Sequence, residues 1–386
     1  MTGRHFSPID MLARLVAFDT ESARSNLDLI AFVEEYLSGW GVASVRIPDA
    51  TGTKAALFAT IGPADRGGVA LSGHTDVVPV AGQAWTSDPF VLRVEGGRAY
   101  GRGAVDMKGF CALALALVPE FLARPLSTPV HLFLSYDEEV TCLGVVDGIR
   151  RFGADLPRPV AVIVGEPTGL EVADAHKSIA MFTTTITGAE AHSSRPELGA
   201  SAVHGAALIA AELDRLSLDY VARGDASGRF DPPCTTIHIG CIGGGTARNI
   251  LARHATLQWE VRGLPDLDPD EIPARLDRFV AENILPRFRR TFPGYGVETV
   301  LDGIVPALDA VAGSRAETLA LKLAGRNRTT TAPFGTEAGH FYNAGIPTVV
   351  CGPGSIDRAH KADEYITLEE LAGGEAFLRR LIDELV

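Results

Sequence analysis

The stretch Gly68-Val69-Ala70-Leu71-Ser72-Gly73-His74-Thr75-Asp76 indicates the fold class of this 386-residue chain. Its apolar run predicts a short buried strand, and the spacing of two places His74 and Asp76 on one face of an extended chain. Three other apolar runs, at residues 129–136, 159–165 and 346–351, lead in the same way to Asp137-Glu138-Glu139, to Glu166 and to the loop with His360. Active sites of open α/β sheets collect at the carboxyl ends of strands, so we expect these side chains to meet there.

Acidic side chains dominate this set. Together with Asp106 it contains six carboxylates and two imidazoles. A single acid or histidine after a strand is most often a turn or helix-cap residue, but four separate arrivals at strand ends favour a common site. So many carboxylates would repel one another unless a cation neutralised them. Nitrogen and oxygen ligands suit zinc, with cobalt or manganese as substitutes, and the Asp106 carboxylate can bridge two ions about 3.5–4 Å apart.

The composition is that of a globular protein. Of the residues, 46% are hydrophobic and 22% are charged, which allows one large core and a second smaller one. No apolar run approaches the ~20 residues of a membrane span, and the N-terminal segment lacks the apolar core of a signal peptide, so we expect a cytoplasmic location. The five cysteines are scattered without a CxxC pair, as expected of reduced thiols. The net charge of −13 argues against nucleic acid and anionic membranes as partners.

Hydrophobic periodicity divides the chain into two kinds of pattern. Helices over 7–40, strands near 42–47 and 55–61, and a helix over 109–118 that is apolar on all sides precede Glu166. After about Lys177 the order becomes strand, helix, strand, strand, helix, strand, at residues 181–187, 201–216, 235–242, 256–261, 268–283 and 296–301, with Asp268 as the N-cap of the last helix. A helix over 314–323, a loop over 335–340 and a core strand over 346–351 resume the first pattern.

We therefore predict an α/β protein with two domains. A discontinuous catalytic domain, residues 1–176 and 307–386, has a mixed sheet flanked by helices. An inserted ferredoxin-like α+β domain comprises residues 177–306.

Three other motifs have simpler explanations. The glycine-rich segment 101–109 lacks the spacing of a phosphate-binding loop, and its glycines suit backbone that passes close to a metal. Adjacent residues rarely have the geometry for proton transfer, which disfavours His192-Ser193-Ser194 as a nucleophile pair. Cys142 and His131 are expected to be buried core residues.

Several motifs occur in a fixed order: Ser72-Gly73-His74-Thr75-Asp76-Val77-Val78-Pro79, Gly101-Arg102-Gly103 through Asp106-Met107-Lys108-Gly109, Asp137-Glu138-Glu139, Gly165-Glu166-Pro167-Thr168, and Gly352-Pro353-Gly354-Ser355 with His360. From about residue 10 onward the chain resembles the di-zinc metallopeptidases and amidohydrolases that include acetylornithine deacetylase, succinyl-diaminopimelate desuccinylase, aminoacylases and some carboxypeptidases. Residues 85–90, 175–177 and 352–365 most resemble acetylornithine deacetylase.

The resemblance implies a role for each residue of the cluster, with two Zn²⁺ per subunit. His74 and Glu166 would complete one metal site, Glu139 and His360 the other, and Asp106 would bridge them. Asp76 would hold the tautomer of His74. Glu138 resembles the general base that activates the bridging water. The Asp106-Met107 peptide resembles one that is cis in relatives.

The resemblance also assigns residues outside the cluster. The inserted domain of residues 177–306 would, by the same resemblance, serve as a lid over the metals and as a dimerisation domain. His192 resembles a histidine that reaches the partner subunit's active site in a homodimer and stabilises the oxyanion. Asn249, Arg262 and Lys177 resemble substrate-binding groups, and a planar guanidinium suits a substrate carboxylate. Gly335, Thr336 and Glu337 lie in a further substrate-binding motif.

Departures from the family pattern bear on the substrate. Desuccinylases usually have an aspartate and then an arginine where this chain has Glu337 and His340. Glu337 could instead meet a cationic side chain, so we expect hydrolysis of N-acetyl-L-ornithine to ornithine and acetate, a step of arginine biosynthesis. Two other substrates remain open, acetylcitrulline and acetyl-lysine. Three other functions also remain open: a desuccinylase, a general aminoacylase and a non-catalytic ligand-binding relative.

Overall fold

The computed structural model describes residues 3–386, so the first two residues of the N-terminal segment lie outside the described part. The α-helices are α1 (Pro8–Val16), α2 (Leu27–Gly39), α3 (Lys108–Ala116), α4 (Val118–Leu122), α5 (Val146–Arg151), α6 (Ala202–Arg223), α7 (Glu271–Phe279), α8 (Leu285–Phe288), α9 (Arg315–Ala324), α10 (Ala338–Asn343) and α11 (Leu368–Leu385). The strands are β1 (Ser44–Pro48), β2 (Ala55–Ile61), β3 (Val69–His74), β4 (Arg93–Glu95), β5 (Arg98–Tyr100), β6 (Val130–Ser135), β7 (Ala161–Pro167), β8 (Ala173–His176), β9 (Ser178–Thr187), β10 (Thr236–Gly244), β11 (His254–Gly263), β12 (Gly296–Val305), β13 (Leu308–Asp309), β14 (Thr330–Ala332), β15 (Thr348–Gly352) and β16 (Tyr365–Thr367).

The chain divides into two compact units. One is formed by the chain up to Ala175 and from Leu308 onward, and the other by His176–Ala307. Within residues 3–386, no helix is long and apolar enough to cross a membrane.

A mixed sheet forms the centre of the first unit. Its strand order is β1-β2-β6-β3-β7-β15-β8-β13, and β14 pairs with β8. β3 runs parallel to both β6 and β7, and β15 runs parallel to β7, whereas β1 pairs antiparallel with β2, β2 with β6, and β8 with β15. The α/β prediction with a mixed sheet flanked by helices is confirmed.

Both faces of this sheet are covered, which explains why its strands are apolar throughout. On β2, Leu57 belongs to the core that also contains residues of α1, α3 and α11, while Phe58 belongs to a second core with residues of α10. Every residue of α3 is buried, as predicted for a helix that is apolar on all sides. Such burial contributes about 1.5–3 kcal/mol for each large aliphatic side chain.

The second unit has a four-stranded antiparallel sheet of order β10-β11-β9-β12. Its elements follow the predicted order β9, α6, β10, β11, α7, β12, which confirms the ferredoxin-like pattern. Phe182 of β9 and Trp259 of β11 stack with ring centroids 4.2 Å apart inside its core. Ser201 caps α6, its side chain accepting a hydrogen bond from the backbone N–H of His204.

Two local predictions are wrong. Asp268 does not cap α7. Its carbonyl accepts a hydrogen bond from the Glu271 amide and its carboxylate accepts one from the Asp270 amide, in a turn before the helix begins. The segment 335–340 is only partly a loop, since α10 begins at Ala338, whose amide donates to Thr336 Oγ1.

Candidate metal centre

Sheet topology brings the clustered residues together. His74 is the last residue of β3, and Glu166 lies near the end of the adjacent strand β7. The acidic triplet follows β6 on the other side of β3, and the loop with His360 follows β15 beside β7. Because these four neighbouring strands are parallel, their carboxyl ends lie at one edge of the sheet.

Asp106 lies between two imidazoles. His74 Nε2 is 3.1 Å from Asp106 Oδ1, and His360 Nε2 is 3.2 Å from Asp106 Oδ2. Glu166 Oε1 is 3.6 Å from His74 Nε2, and Glu139 Oε2 is 3.0 Å from His360 Nε2. The arrangement therefore has two halves that share one carboxylate. The Asp106-Met107 peptide is cis.

The donor atoms fit divalent cations. The ligand atoms of His74, Asp106 and Glu139 lie within 4.8 Å of one another, as do those of His74, Glu138 and Glu166. Glu166 Oε1 is buried and has no hydrogen-bond partner within residues 3–386. A buried acceptor of this kind is costly unless a cation or donor meets it. Carboxylate and imidazole ligands together suit zinc, cobalt or manganese.

The electrostatics of the cluster lead to the same conclusion. Burial, followed by the charges of neighbouring carboxylates, raises the pKa of Glu166 well above its usual range. Hydrogen bonds to Asp106 and Glu139 raise the pKa of His360 to about 10. Protonated His360 thus balances part of the excess negative charge, a role that divalent cations would take over.

Asp76 has a larger role than its sequence position suggested. The atom of Asp76 nearest to His74 Nδ1 is its backbone carbonyl oxygen, at 2.9 Å, whereas its carboxylate is 3.5 Å away. The carboxylate instead accepts hydrogen bonds from the amides of Glu138 and Glu139, at 3.2 and 3.3 Å, and from Ser22 Oγ at 2.7 Å. Asp76 therefore orients the acidic turn as well as the imidazole.

Glu138 adjoins both halves of the centre. Burial raises the pKa of its carboxyl, and the charges of Glu139, Glu337 and Asp106 add to this effect. Cys142, which is buried as predicted, lies with Sγ 3.3 Å from Glu138 Oε1 and can donate to it. A carboxyl whose pKa is raised toward neutrality can both take and return a proton at physiological pH.

Glu337 lies beneath the centre, not in an accessible position. Glu337 is only 1% exposed. Its two oxygens accept hydrogen bonds from Ser72 Oγ of β3, at 2.5 Å, and Ser135 Oγ of β6, at 2.6 Å. Glu337 therefore connects β3 to β6. The structure does not support the expected contact between Glu337 and a cationic group of the substrate. Thr336 is fully buried as well, and Gly335 is half-buried.

The family of the chain can be established by comparison. Residues 70–384 match the profile of Peptidase family M20/M25/M40. The chain belongs to this family. It is an M20 hydrolase, and its recognition from the sequence motifs is confirmed.

Individual relatives agree with the M20 assignment. The chain is 35% identical over 379 residues to acetylornithine deacetylase of Myxococcus xanthus, covering 96% of this chain and 95% of the relative. An M20 family metallo-carboxypeptidase from Sulfolobus solfataricus has the same fold, with a TM-score of 0.77, 18% identity and 98% of each chain covered. A dinuclear metal-binding M20 peptidase from Bacillus subtilis gives a TM-score of 0.68 at 17% identity, with 98% of this chain and 97% of the other covered.

The remaining predicted residues of the M20 hydrolase lie in its second unit. His192 is exposed, and its Nδ1 accepts from the Ser194 amide at 3.2 Å and lies 2.7 Å from Ser194 Oγ. This contact directs Nε2 to be the donor nitrogen. Ser193 N donates to Asn249 O at 2.9 Å, so the segments of His192 and Asn249 are adjacent.

The two predicted basic groups of this unit have internal partners. Arg262 donates from Nε and Nη2 to both carboxylate oxygens of Glu260, at 3.1 and 3.2 Å, yet 40% of its side chain stays exposed. Lys177 Nζ donates to the carbonyls of Pro232 and Cys234, at 2.7 and 2.6 Å, and burial lowers its pKa. Lys177 thus stabilises a loop, while Arg262 keeps an exposed surface.

Proposed function

We propose that this M20 hydrolase removes the acetyl group of N2-acetyl-L-ornithine, giving L-ornithine and acetate, in the cytoplasm as a step of arginine biosynthesis. The observation that carries the proposal is Asp106, with one carboxylate oxygen toward each of two imidazoles and Glu138 beside them. The substrate is suggested by the name of the Myxococcus xanthus relative, which aligns over 96% of the chain.

In this proposal His74 and Glu166 would hold one cation, Glu139 and His360 would hold the other, and Asp106 would contribute to both. Two zinc ions, or cobalt or manganese in their place, would supply Lewis-acid activation of the amide carbonyl and of water. Asp76 supports both sets, since it bonds His74 through its carbonyl and the turn of Glu138 and Glu139 through its carboxylate.

Glu138 moves the proton of the reaction. Its carboxylate accepts a proton from the attacking water while the new C–O bond forms at the acetyl carbon. It then returns that proton to the nitrogen as the C–N bond breaks, so that ornithine leaves as the amine.

The second unit supports a homodimer in this proposal. Strand β10 lies at one end of the sheet order, and Ile242 on it is 57% exposed. Ile250 and Val203 add exposed apolar surface in the same unit. An unpaired apolar strand edge favours pairing with a second copy. His192 would then donate from Nε2 to the developing oxyanion in the partner subunit, and Asn249 and Arg262 would bind the substrate carboxylate.

The test is steady-state hydrolysis of N-acetyl-L-ornithine, N-succinyl-diaminopimelate and N-acetyl-L-methionine by the metal-loaded enzyme. We expect the highest kcat/KM on acetylornithine, loss of activity after chelation, and recovery with zinc or cobalt. A higher kcat/KM on either other substrate would overturn the substrate. Absence of hydrolysis across the panel with two ions bound would favour a non-catalytic ligand-binding protein. Light scattering of the same sample tests the homodimer.

A further inference from the structure

His360 is the most exposed member of the candidate centre. Its side chain is 51% exposed, and it follows a short turn at Ile356–Arg358 instead of ending a strand. The backbone of His360 has a positive φ of 62°. Such a residue needs contacts outside the cluster to keep its imidazole at a fixed distance from Asp106.

One such contact comes from Gln83. Its side-chain Nε2 donates to the backbone carbonyl of His360 at 3.0 Å. The other end of the same amide, Oε1, accepts from Trp85 Nε1 at 3.1 Å and from Arg102 Nη2. Both ends of the amide are engaged, so its orientation is determined.

The contact continues through a buried ion pair to Asp106. Arg102 Nη1 donates to Glu364 Oε2 at 2.7 Å, and each side chain is 1% exposed. The Arg102 guanidinium also lies 5.1 Å from the centroid of the Trp85 ring. Glu364 Oε1 accepts from the amides of Val105 and Asp106, at 3.0 and 3.2 Å.

These hydrogen bonds form a continuous chain of contacts from one candidate metal ligand to another. It runs from the His360 carbonyl through Gln83, Arg102 and Glu364 to the Asp106 amide. By contrast, His74 and Glu166 lie within strands of the central sheet: His74 pairs with Ser135 of β6, and β7 lies between β3 and β15. The Gln83 end of this chain of bonds therefore contacts only the half with Glu139 and His360, whereas its Glu364 end contacts Asp106, which both halves share.

We propose that Gln83, Arg102 and Glu364 are positioning residues that set the separation of His360 from Asp106. They thereby determine the affinity of the cation position formed by Glu139, His360 and Asp106. The inference rests on the proposed two-cation centre, but not on the identity of the substrate.

Gln83 offers the sharpest test because it is only half-buried, and its replacement should leave the fold intact. Gln83→Ala removes the whole link. Gln83→Glu keeps an acceptor for Arg102 and Trp85 but has no N–H to donate to the His360 carbonyl. Gln258→Ala, at an exposed position of β11, is the matched control.

The experiment is calorimetric titration of the metal-free full-length protein with Co²⁺, together with its melting temperature. We expect both Gln83 variants to bind the first ion as the wild type does and the second at least about tenfold more weakly, with unchanged melting temperature. Gln258→Ala should match the wild type.

Unchanged affinity for both ions in the Gln83 variants would overturn the proposal, as would equal weakening of both. A wild-type protein that binds fewer than two ions would overturn it too, together with the two-cation centre. If the Gln83 variants bind only the second ion more weakly, but the wild-type enzyme does not hydrolyse acetylornithine, only the proposed substrate fails.

Discussion

The two halves of the candidate centre are built differently. In the half with His74 and Glu166, both residues lie on adjacent central strands, and their side chains are 0% and 4% exposed. In the half with Glu139 and His360, both residues follow strands on loops, and the His360 side chain is 51% exposed. The first half is part of the sheet core. The second half depends on hydrogen bonds made by side chains that are distant in the sequence, such as those of Gln83 and Glu364. Substitutions should therefore weaken its cation binding more easily.

Glu138 adjoins both halves, and its removal should have the largest effect on activity. We expect Glu138→Gln to lower kcat on acetylornithine by about 10²–10⁴-fold, because the proton acceptor is lost. Both ions should stay bound, as metal analysis of the purified variant would reveal. Loss of one ion would place Glu138 among the ligands of a single half, and undiminished kcat would remove it from the mechanism.

Removing each histidine tests the comparison directly. His74→Ala removes a fully buried imidazole that lies beside Asp106 Oδ1 and Glu166 Oε1, so we expect the metal-free protein to lose about 3–5 kcal/mol of unfolding free energy in urea. His360→Ala removes a half-exposed side chain, and about 1 kcal/mol or less should be lost. Equal losses in the two variants would contradict the proposed difference between the halves.

The buried half also depends on Glu337. Ser72→Ala or Ser135→Ala leaves one oxygen of this buried carboxylate without its donor, which should cost about 1–3 kcal/mol of unfolding free energy. KM for acetylornithine should change little, because Glu337 is buried and both of its oxygens are bonded to serines. Unaltered stability with a raised KM would restore Glu337 as a substrate-binding residue.

His131 on β6 should make the sheet core sensitive to acid. Its Nε2 accepts from the Gly68 amide at 2.9 Å and its Nδ1 lies 3.0 Å from Thr60 Oγ1, as suits a neutral ring. Burial lowers the pKa of His131 from 6.5 to about 4. The unfolded chain therefore binds more protons between these values. Stability should be complete above pH 6.5 and fall by about 1 kcal/mol on lowering the pH from 6.5 to 5.5.

The measurement is urea unfolding of the metal-free protein as a function of pH. In His131→Asn the part of the pH dependence due to this ring should disappear. An identical pH slope in the variant would show that the buried ring is not the acid-sensitive group.

Local patterns predicted the long central strands and several helices, but they missed α11, the short strands and some element ends. Strand β2 and the buried helix α3 follow from runs of apolar residues, which depend only on neighbours in the chain. The N-cap of α7 was placed two residues too early, at Asp268 instead of Asp270, because both are good caps and only the turn geometry distinguishes them. The start of α10 was missed because its short apolar segment has no clear periodicity.

The sequence by itself determined the fold class, the family and the cluster of acids and histidines at the strand ends, since each of these rests on spacing within short segments. Tertiary structure alone decided which atoms meet. Ser72 and Glu337 are 265 residues apart, and Gln83 and His360 are 277 apart. Contacts over such separations arise from the packing of whole elements, and no local pattern encodes them. For the same reason Glu337 proved to be a buried tie between strands, and Asp76 an anchor for the acidic turn.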